Sequence, residues 1–269
     1  MRLFIYKYWD SLCENISKEY NTIKADEIND NLDTNWLLIK HDVETNVPKA
    51  LKLAQIEHKY NIKATYYIQA DLVEENHKTL QEIASLGHEV SYHYDVLDEF
   101  DGDMIEARES FVSNIEMFNR YGFDIKSICP HGNPIKIRDG WSSNKDFFRD
   151  RDIQKDFSDI LDIVVALPNI LDSYSYISDA GYSFKLISDV ANNDKKESRD
   201  KPISNLLDNI NPNSKTILST HPHRWESSSF KFILKVYGFK IIKTVAKKLL
   251  KIPILERLMS KYYYLAKRV

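Results

Sequence analysis

The feature of this sequence that most limits its fold is a series of short apolar runs that alternate with helical patterns. The first run, Trp36 to Ile39, is followed almost at once by apolar residues at helical spacing from Val47 to Tyr60. Further runs at 62–68 and 89–92 continue the alternation, with about 25 to 30 residues per unit. Strands that alternate with helices in this way predict a mainly parallel sheet with helical crossover connections.

The second half of the chain is less regular, although a strand pattern returns before residue 220. A long helix is predicted over Asp103–Tyr121, and a short strand follows it at Ile125–Cys129. Ile163–Ala166 and Tyr174–Ile177 are candidate strands, and Lys215–Thr220 is a clearer one. We therefore expect the sheet to gain its last strands from the C-terminal half.

Composition and cysteine content place the chain among ordinary soluble proteins. Hydrophobic residues make up 43% of the sequence and charged residues 29%, which is typical of a globular domain. The two cysteines, Cys13 and Cys129, form no disulfide or metal pattern, which agrees with a reducing compartment. Residues 1–10 combine a short apolar patch with charges, unlike a secretory signal or a membrane span. We therefore expect a cytoplasmic protein, with peripheral attachment to the inner face of the membrane as an option.

Ionisable side chains follow four of the predicted strands. In chain order they are Asp42 and Glu44, then His93, then His131, then His221 and His223. In α/β enzymes the C-terminal ends of parallel strands carry the chemistry. A single histidine at a strand end is more often structural, but four strand ends with the same pattern favour one shared site. Carboxylates and imidazoles are ligands of a catalytic divalent ion such as Zn²⁺, whose open position for water points to hydrolysis.

These residues lie in motifs that resemble a known family. The motifs are HDVE at 41–44, GHEVSYH at 87–93, CPHGNP at 129–134 and THPHRW at 220–225. Together they resemble the polysaccharide deacetylase family, which is carbohydrate esterase family 4 with the NodB homology domain, in its branch with HDVD, GHEIGYHY and HPQRW-type motifs. The resemblance covers residues 1–227 and implies an α/β fold, a distorted (β/α) barrel with about seven parallel strands. It also implies a divalent metal ion and the hydrolysis of an N-acetyl group on a sugar.

The resemblance assigns acid and base roles to the first and last motifs. Asp42 falls on the family's general base, and Glu44 matches the metal-binding acid of the same motif; we include both among the predicted metal ligands. His221 corresponds best to the late histidine that protonates the leaving amine, with His223 as a rival. The implied mechanism is attack by activated water, with Asp42 accepting its proton, to give acetate and an amino sugar.

The remaining metal ligands are predicted from the middle motifs. His93 falls on the first histidine of the family's H-x-x-x-H motif, but the position four residues later is Leu97. Either His131 or His88 would have to replace the missing ligand. We favour His131, because His88 lies at the opposite end of the same short strand as His93.

Four further residues are assigned to substrate binding, each with a structural alternative. Tyr94 would stack on a sugar ring or belong to the core, and Asn133 would contact substrate or form a turn. Arg224 and Trp225 would bind an anionic or sugar group, or lock the final loop. Asp95 suits both a hydrogen bond to a ligating histidine and a helix cap.

The C-terminal segment 228–269 differs sharply in charge from the rest of the chain. It carries eleven Lys or Arg against the single acid Glu256, a net charge of +10, whereas residues 1–227 carry 26 basic and 39 acidic side chains, a net charge of −13. Apolar residues interleave with the lysines, which predicts a basic amphipathic helical extension to the barrel of residues 1–227. Such a helix would lie on an anionic membrane surface or pack its apolar face on the barrel. Nucleic acid is disfavoured as a partner because the main body is acidic.

The sequence thus predicts a metal-dependent N-deacetylase that acts on an amino sugar during surface polysaccharide or lipopolysaccharide assembly. A lipid-linked glycan is the natural substrate if the extension binds the membrane. One alternative is hydrolysis of another amide or ester on the same fold. The other is a degenerate barrel that binds a glycan or a partner at the membrane surface, which Leu97 in the ligand position favours.

Overall fold

A computed structural model describes residues 4–28, 35–133, 136–171, 173–179, 182–192, 201–203 and 205–238 of the chain. The strands within these ranges are β1 (Thr22–Ile23), β2 (Leu37–Val43), β3 (Thr65–Ile68), β4 (Glu89–Tyr94), β5 (Ser127–Pro130), β6 (Leu161–Asp162), β7 (Ser175–Ser178), β8 (Lys185–Ile187), β9 (Lys201–Pro202) and β10 (Thr216–Thr220). All of them belong to one sheet.

Helices connect most of the strands. They are α1 (Tyr6–Glu19), α2 (Val47–Lys59), α3 (Val73–Ser85), α4 (Val96–Glu99), α5 (Met104–Arg120), α6 (Lys145–Arg149), α7 (Arg151–Asp156) and α8 (Leu167–Ile170). Short 3₁₀ turns occur at Ala25–Glu27, Ala70–Leu72, Leu207–Asn209 and Pro222–Arg224. The helix predicted over Asp103–Tyr121 is confirmed as α5, and Asp103 caps it by accepting hydrogen bonds from the backbone N–H groups of Ile105 and Glu106.

The sheet order is β6-β5-β4-β3-β2-β10-β7-β8-β9, and β1 also pairs with β2. Strands β1 to β7 and β10 are joined by parallel pairings, whereas β8 and β9 are antiparallel. The curled, mostly parallel sheet is a distorted (β/α) half-barrel, so the predicted fold class is confirmed. Eight strands of the described residues are in parallel pairs, against the seven or so expected.

Strand β2 lies in the middle of the sheet, and all seven of its residues are buried. It pairs with β3 on one side and with β10 on the other, from Leu37 opposite Thr216 to His41 opposite Thr220. Because side chains alternate along a strand, Lys40 and Asp42 share one face while His41 lies on the other. The ring of His41 stacks on Tyr66 and its Nε2 is 2.7 Å from the Glu57 carboxylate of α2.

The candidate strand at Ile163–Ala166 is wrong, whereas the one at Tyr174–Ile177 is confirmed within a residue as β7. Strand β6 ends at Asp162, whose carboxylate accepts hydrogen bonds of 2.8 Å from the backbone N–H groups of Val164 and Val165. These bonds turn the chain into α8. The apolar run therefore contributes buried side chains at Ile163 and Val164, but no strand.

The C-terminal extension begins on the barrel. Residues 229–238 are helical, and Phe232 and Val236 are buried among the residues of the main hydrophobic core. The rest of the predicted extension, residues 239–269, lies outside the described residues. Within the described part of the chain, no helix combines the length and the apolar character that crossing a bilayer requires.

Candidate active site

Five of the predicted site residues meet at the C-terminal edge of the parallel strands. Asp42 is the second-last residue of β2 and Glu44 follows that strand. His93 lies in β4, His131 follows β5, and His221 follows β10. The parallel topology brings these strand ends together although the residues are far apart in sequence.

Three of them form a candidate metal centre. Ligand atoms of Glu44, His93 and His131 all lie within 4.8 Å of one another, and Nε2 of His131 is 3.1 Å from Oε1 of Glu44. The Nδ1 atom of His93 is 3.0 Å from the carbonyl oxygen of Cys129, which only accepts hydrogen bonds. The proton of His93 is therefore on Nδ1, and the lone pair on Nε2 is the one available to an ion. One carboxylate and two imidazoles fit a divalent ion with an open coordination position.

Burial and neighbouring charges keep two of these side chains, His93 and Glu44, in the forms that bind metals. Burial lowers the pKa of His93 to about 3, so its ring is neutral at physiological pH. Burial alone would raise the pKa of Glu44, but His131 beside it holds that pKa well below its usual value. A neutral imidazole and an ionised carboxylate are the ligand forms required.

The structure places His131, and not His88, with the other candidate ligands. The Nε2 atom of His88 donates a hydrogen bond of 3.1 Å to the Ala54 carbonyl oxygen, and its Nδ1 is 3.9 Å from the Glu57 carboxylate. Leu97, at the position of the family's second histidine, is buried in the main core. Asp95 lies beside His131, with 3.7 Å between its Oδ2 and the His131 Nδ1, and makes no side-chain bond to the start of α4. The same Oδ2 accepts a hydrogen bond of 3.0 Å from Gln69 Nε2, so the Asp95 carboxylate is held beside His131 and is not used as a helix cap.

Asp42 is held by Lys40, a residue that the sequence analysis did not assign to the site. The buried Lys40 Nζ donates hydrogen bonds of 2.7 and 2.8 Å to the two carboxylate oxygens of Asp42, and lies 3.1 Å from Cys129 Sγ. Ser219 Oγ donates a third bond, of 3.2 Å, to Asp42. Burial would raise the pKa of Asp42, but the Lys40 ammonium outweighs it and brings the pKa to about 2. Asp42 is therefore an ionised carboxylate.

This pairing bears on the prediction that Asp42 is also a metal ligand, which stays a prediction. Ligand atoms of Asp42, His93 and Cys129 do lie within 4.8 Å of one another. However, the Lys40 ammonium contacts both Asp42 and Cys129, so a positive charge is already in this group. The Lys40 ammonium would repel a metal ion at these atoms, which favours Asp42 as a proton acceptor over Asp42 as a ligand.

A buried carboxylate orients His221. The Nδ1 atom of His221 lies 2.7 Å from Oδ1 of Asp179, and its Nε2 is 3.9 Å from Asp42 and 3.8 Å from Glu44. Asp179 also accepts hydrogen bonds from Thr220 Oγ1, the backbone N–H of His221 and Arg224. Burial would raise the pKa of Asp179, but Arg224 and His221 hold it below its usual value. Asp179 was not predicted from the sequence, although it directly follows β7 and so obeys the same strand-end rule.

His223, the predicted rival of His221, lies beside it without a comparable partner. The two ring centroids are 5.6 Å apart. The Nδ1 atom of His223 has no hydrogen-bond partner among the described residues, and burial lowers the pKa of His223 to about 3. Because His221 is the ring that is bonded to a buried carboxylate and faces Asp42, it is the better candidate for proton transfer.

Two of the four predicted substrate contacts are wrong because the side chains are in the core. Tyr94 has no exposed surface, and its hydroxyl donates a hydrogen bond of 2.6 Å to Asp162. Trp225 has none either, and its Nε1 donates a hydrogen bond of 2.8 Å to Thr220 Oγ1. A buried ring has no face to offer to a sugar.

The other two predicted contacts have structural partners. The guanidinium group of Arg224 donates to both the carboxylate and the carbonyl oxygen of Asp179, so it anchors the loop that carries His221. The side-chain oxygen of Asn133 accepts a hydrogen bond of 3.2 Å from the backbone N–H of Lys136. Both residues therefore follow the structural alternatives considered for them, loop anchoring and turn formation.

A polar network that the sequence analysis missed fixes the loop after β5. Asn144 donates hydrogen bonds of 2.9 Å to the His131 carbonyl oxygen and 3.0 Å to the Asp98 carboxylate. The guanidinium group of Arg138 binds the same carboxylate through bonds of 2.7 and 2.8 Å. His131 is thereby tied to α4, which starts next to the end of β4.

No protein-family model matches the chain, and no curated protein matches it. Among solved structures, it is similar to a carbohydrate esterase family 4 pseudoenzyme from Bacillus anthracis, at 16% identity over 77% of this chain and 62% of that one, with a TM-score of 0.41. It is also similar to the catalytic domain of a peptidoglycan N-acetylglucosamine deacetylase from Eubacterium rectale, at 17% identity over 82% and 89% of the two chains, with a TM-score of 0.41. The chain is also similar to a family 4 carbohydrate esterase from Streptomyces lividans, at 12% identity over 78% of this chain and 89% of that one, with a TM-score of 0.39.

Proposed function

We propose that this protein is a metal-dependent hydrolase that removes an N-acetyl group from an amino sugar. The observation that carries the proposal is the grouping of Glu44, His93 and His131 next to an ionised Asp42 and the Asp179–His221 pair. Metal ligands, a proton acceptor and a proton donor are the parts that hydrolysis of an amide requires.

Asp42 is suited to take a proton from the attacking water. Lys40 and Ser219 hold its carboxylate in place, and its pKa of about 2 keeps it ionised. A divalent ion at Glu44, His93 and His131 would supply Lewis acidity, which polarises an amide carbonyl and acidifies water. Asp42 lies next to these three residues, because only Val43, the last residue of β2, separates it from Glu44.

His221 is suited to deliver a proton to the departing nitrogen. Asp179 accepts a hydrogen bond from its Nδ1, so Nε2 is the atom directed towards Asp42 and Glu44. In the overall reaction, the oxygen of water bonds to the acyl carbon, the C–N bond breaks, and the nitrogen gains a proton. An amine is a poorer leaving group than an alcohol until it is protonated, so an oriented acid supports amide rather than ester hydrolysis.

The substrate class is supported by the motifs. The residues at 41–44, 87–93, 129–134 and 220–225 resemble the polysaccharide deacetylase family, and the candidate site is built from these segments. An amino-sugar unit of a surface polysaccharide or lipopolysaccharide, including a lipid-linked glycan, is accordingly the proposed substrate, and Zn²⁺ is the proposed ion.

A second candidate function is binding of a glycan without hydrolysis. It is favoured by Leu97, a buried core residue at the position where the family's second metal-binding histidine would lie. If His131 does not replace that ligand, the affinity for a divalent ion falls by orders of magnitude. The barrel would then bind a glycan without hydrolysing it.

Metal content separates the two functions. The purified protein, reconstituted with Zn²⁺ and desalted, should contain close to one ion per chain, and His93→Ala and His131→Ala should lose it. His58→Ala is the matched control, because His58 is exposed and bonds only to the Leu86 carbonyl oxygen among the described residues.

Acetate release from N-acetylated chitooligosaccharides, used as probes, should follow the metal content across the four proteins. A parent protein that retains no metal would refute the hydrolase and favour the binding function. Retention in His131→Ala would show that another group supplies the third ligand.

A further inference from the structure

The helical residues 229–238 expose a stripe of large apolar side chains. Phe230, Ile233, Leu234 and Tyr237 are exposed to 76%, 39%, 65% and 60%. Their spacing of i, i+3, i+4 and i+7 places them on a single face of the helix. The remaining exposed large apolar residues of the described chain are Ile105, Ile137 and Ile170, which are scattered in sequence.

Other residues of the same helical segment anchor it to the barrel. Phe232 and Val236 are buried in the main core, and the ring of Phe232 lies 6.1 Å from that of Phe4. Lys235 donates hydrogen bonds to the Glu226 carboxylate and the His223 carbonyl oxygen. The apolar stripe therefore remains exposed on a helix that is already anchored, which is unusual for a surface that meets only water.

Charge indicates what the stripe would meet. Segment 228–269 has a net charge of +10, and residues 1–227 have a net charge of −13. Lys231 is exposed beside the stripe, and further lysines follow it in the sequence. A surface with anionic groups outside and an apolar interior attracts this basic, apolar segment. The anionic groups repel the acidic remainder of the protein.

We propose that residues 229–238 dock the protein on the surface of an anionic lipid bilayer, with Phe230, Ile233 and Leu234 inserted between the headgroups. An apolar face flanked by lysines is the profile of an interfacial helix. Insertion is shallow, because Phe232 and Val236 hold the opposite part of the helix on the barrel.

Docking there places the candidate site close to the lipid. Three residues separate Trp225, the end of the His221 loop, from the start of the helical segment at 229. Lys49 of α2 donates hydrogen bonds to the Trp225 carbonyl oxygen and to the Glu226 carboxylate. Lys235 of the helix binds the same carboxylate, so Glu226 anchors both the loop and the helix. A lipid-linked glycan would thus be within reach of a docked protein. This consequence rests on the proposed hydrolase, whereas docking itself does not.

The test is co-sedimentation of the full chain with vesicles of phosphatidylcholine, with and without phosphatidylserine. We expect binding only to the anionic vesicles, weakened by NaCl. The double variant Phe230→Ser/Leu234→Ser should bind at least about tenfold more weakly, because two large apolar side chains no longer enter the interface. The matched control is Ile105→Ser/Ile137→Ser, which removes side chains of similar exposure, 73% and 65%, elsewhere on the surface.

Absence of binding by the parent protein to the anionic vesicles would overturn the proposal. Equal loss in both double variants would also overturn it. Dimerisation in analytical ultracentrifugation, abolished by Phe230→Ser/Leu234→Ser without an effect of vesicles, would assign the stripe to a second copy of the chain. Because no substrate is present, a failure here leaves the proposed hydrolase untouched, and the reverse also holds.

Discussion

The Lys40 side chain decides what Asp42 is able to do. A carboxylate inside the barrel would be protonated by desolvation, and the ammonium group 2.7 Å away reverses this. Burial would lower the pKa of Lys40, but Asp42 raises it above its usual value, so the two charges stabilise one another. The pair keeps a base ionised in a place where an isolated base would be neutral.

Replacement of Lys40 by Met should therefore impair proton transfer without affecting metal content. We expect kcat/KM at neutral pH to fall by about 100-fold, because burial would then raise the pKa of Asp42 and leave it protonated. The variant loses activity as pH falls through the raised pKa of Asp42, so the acidic limb of its pH profile moves to higher pH. Profiles of kcat/KM against pH for parent and variant measure this shift.

A fold defect in Lys40→Met is distinguished by a double variant. Removing one partner of a buried ion pair costs about 3 to 5 kcal/mol of unfolding free energy, whereas removing both charges costs much less. Lys40→Met/Asp42→Asn should thus regain stability in urea unfolding but remain inactive. A single variant with the parent's pH profile would contradict the role of Lys40.

At the scale of single elements, the loop after β5 shows how a short polar network positions His131, a candidate metal ligand. Asn144 connects the His131 backbone to Asp98 of α4, and Arg138 holds Asp98 from the other side. None of these residues coordinates the proposed ion. They fix the backbone from which His131 projects.

The variant Asn144→Ala should weaken metal binding by about 10- to 100-fold, since the loop that carries His131 loses its tie to α4. Competition with a chelator measures the affinity, and Asn119→Ala, a change of an exposed asparagine, is the control. Unchanged affinity would mean that the rest of the loop suffices to hold His131.

The Asp179–His221 pair joins the ends of β7 and β10 and allows a separate test. Asp179→Asn should lower kcat by about 10²- to 10⁴-fold, because the ring of His221 loses the carboxylate that orients it. Metal content should be unaffected. Asp124→Asn, at an exposed carboxylate, serves as the control, and comparable kcat in both variants would remove Asp179 from the mechanism.

The strand-end rule explains which parts of the site were predictable. Asp42, Glu44, His93, His131 and His221 each follow or end an apolar run, and the structure brings all five together. Asp179 was not predicted because the apolar run before it is short and is interrupted by serines. Asn144 and Asp98 had no pattern at all, since their contacts depend on how a loop packs on a helix.

Aromatic side chains show the limit of the same rule. Tyr94 directly follows His93 in strand β4, but neighbours in a strand point to opposite faces. Tyr94 packs among Phe111, Phe147 and Phe148 of the outer helices, away from His93. Adjacency in sequence is thus poor grounds for a shared site.

At the scale of the whole molecule, the fold was predictable from the alternation of strands and helices, but the polar groups inside the barrel were not. Glu89 opens β4 and is almost fully buried. Its carboxylate accepts hydrogen bonds from Ser127 and Thr65, which are contributed by β5 and β3. Burial, with help from Asp26, raises the pKa of Glu89 from its ordinary value of 4.5 to about 7.

This raised pKa predicts a pH dependence of stability. Between these two pKa values the folded state binds the proton more tightly than the unfolded chain, so the unfolding free energy falls as pH rises. Glu89 should account for a loss of about 2.5 kcal/mol between pH 5 and pH 8. Urea unfolding at both pH values should show that Glu89→Gln lacks this part of the dependence, whereas Glu74→Gln, at an exposed position, keeps it. The same dependence in all three proteins would contradict the prediction.

The sheet order also has a consequence for the time at which the site is completed. The candidate metal ligands fall within residues 44–131, in or directly after strands β2, β4 and β5 of a consecutive run of neighbours. His221 arrives only when β10 inserts between β2 and β7, which joins Thr216 to Leu37 across most of the chain. Contacts between distant residues form late because loop closure has to precede them. In pulsed hydrogen exchange during refolding, we expect amides of β2 to β5 to be protected before those of β10, so that the protein forms the half with the candidate metal ligands first and adds His221, the proposed proton donor, last.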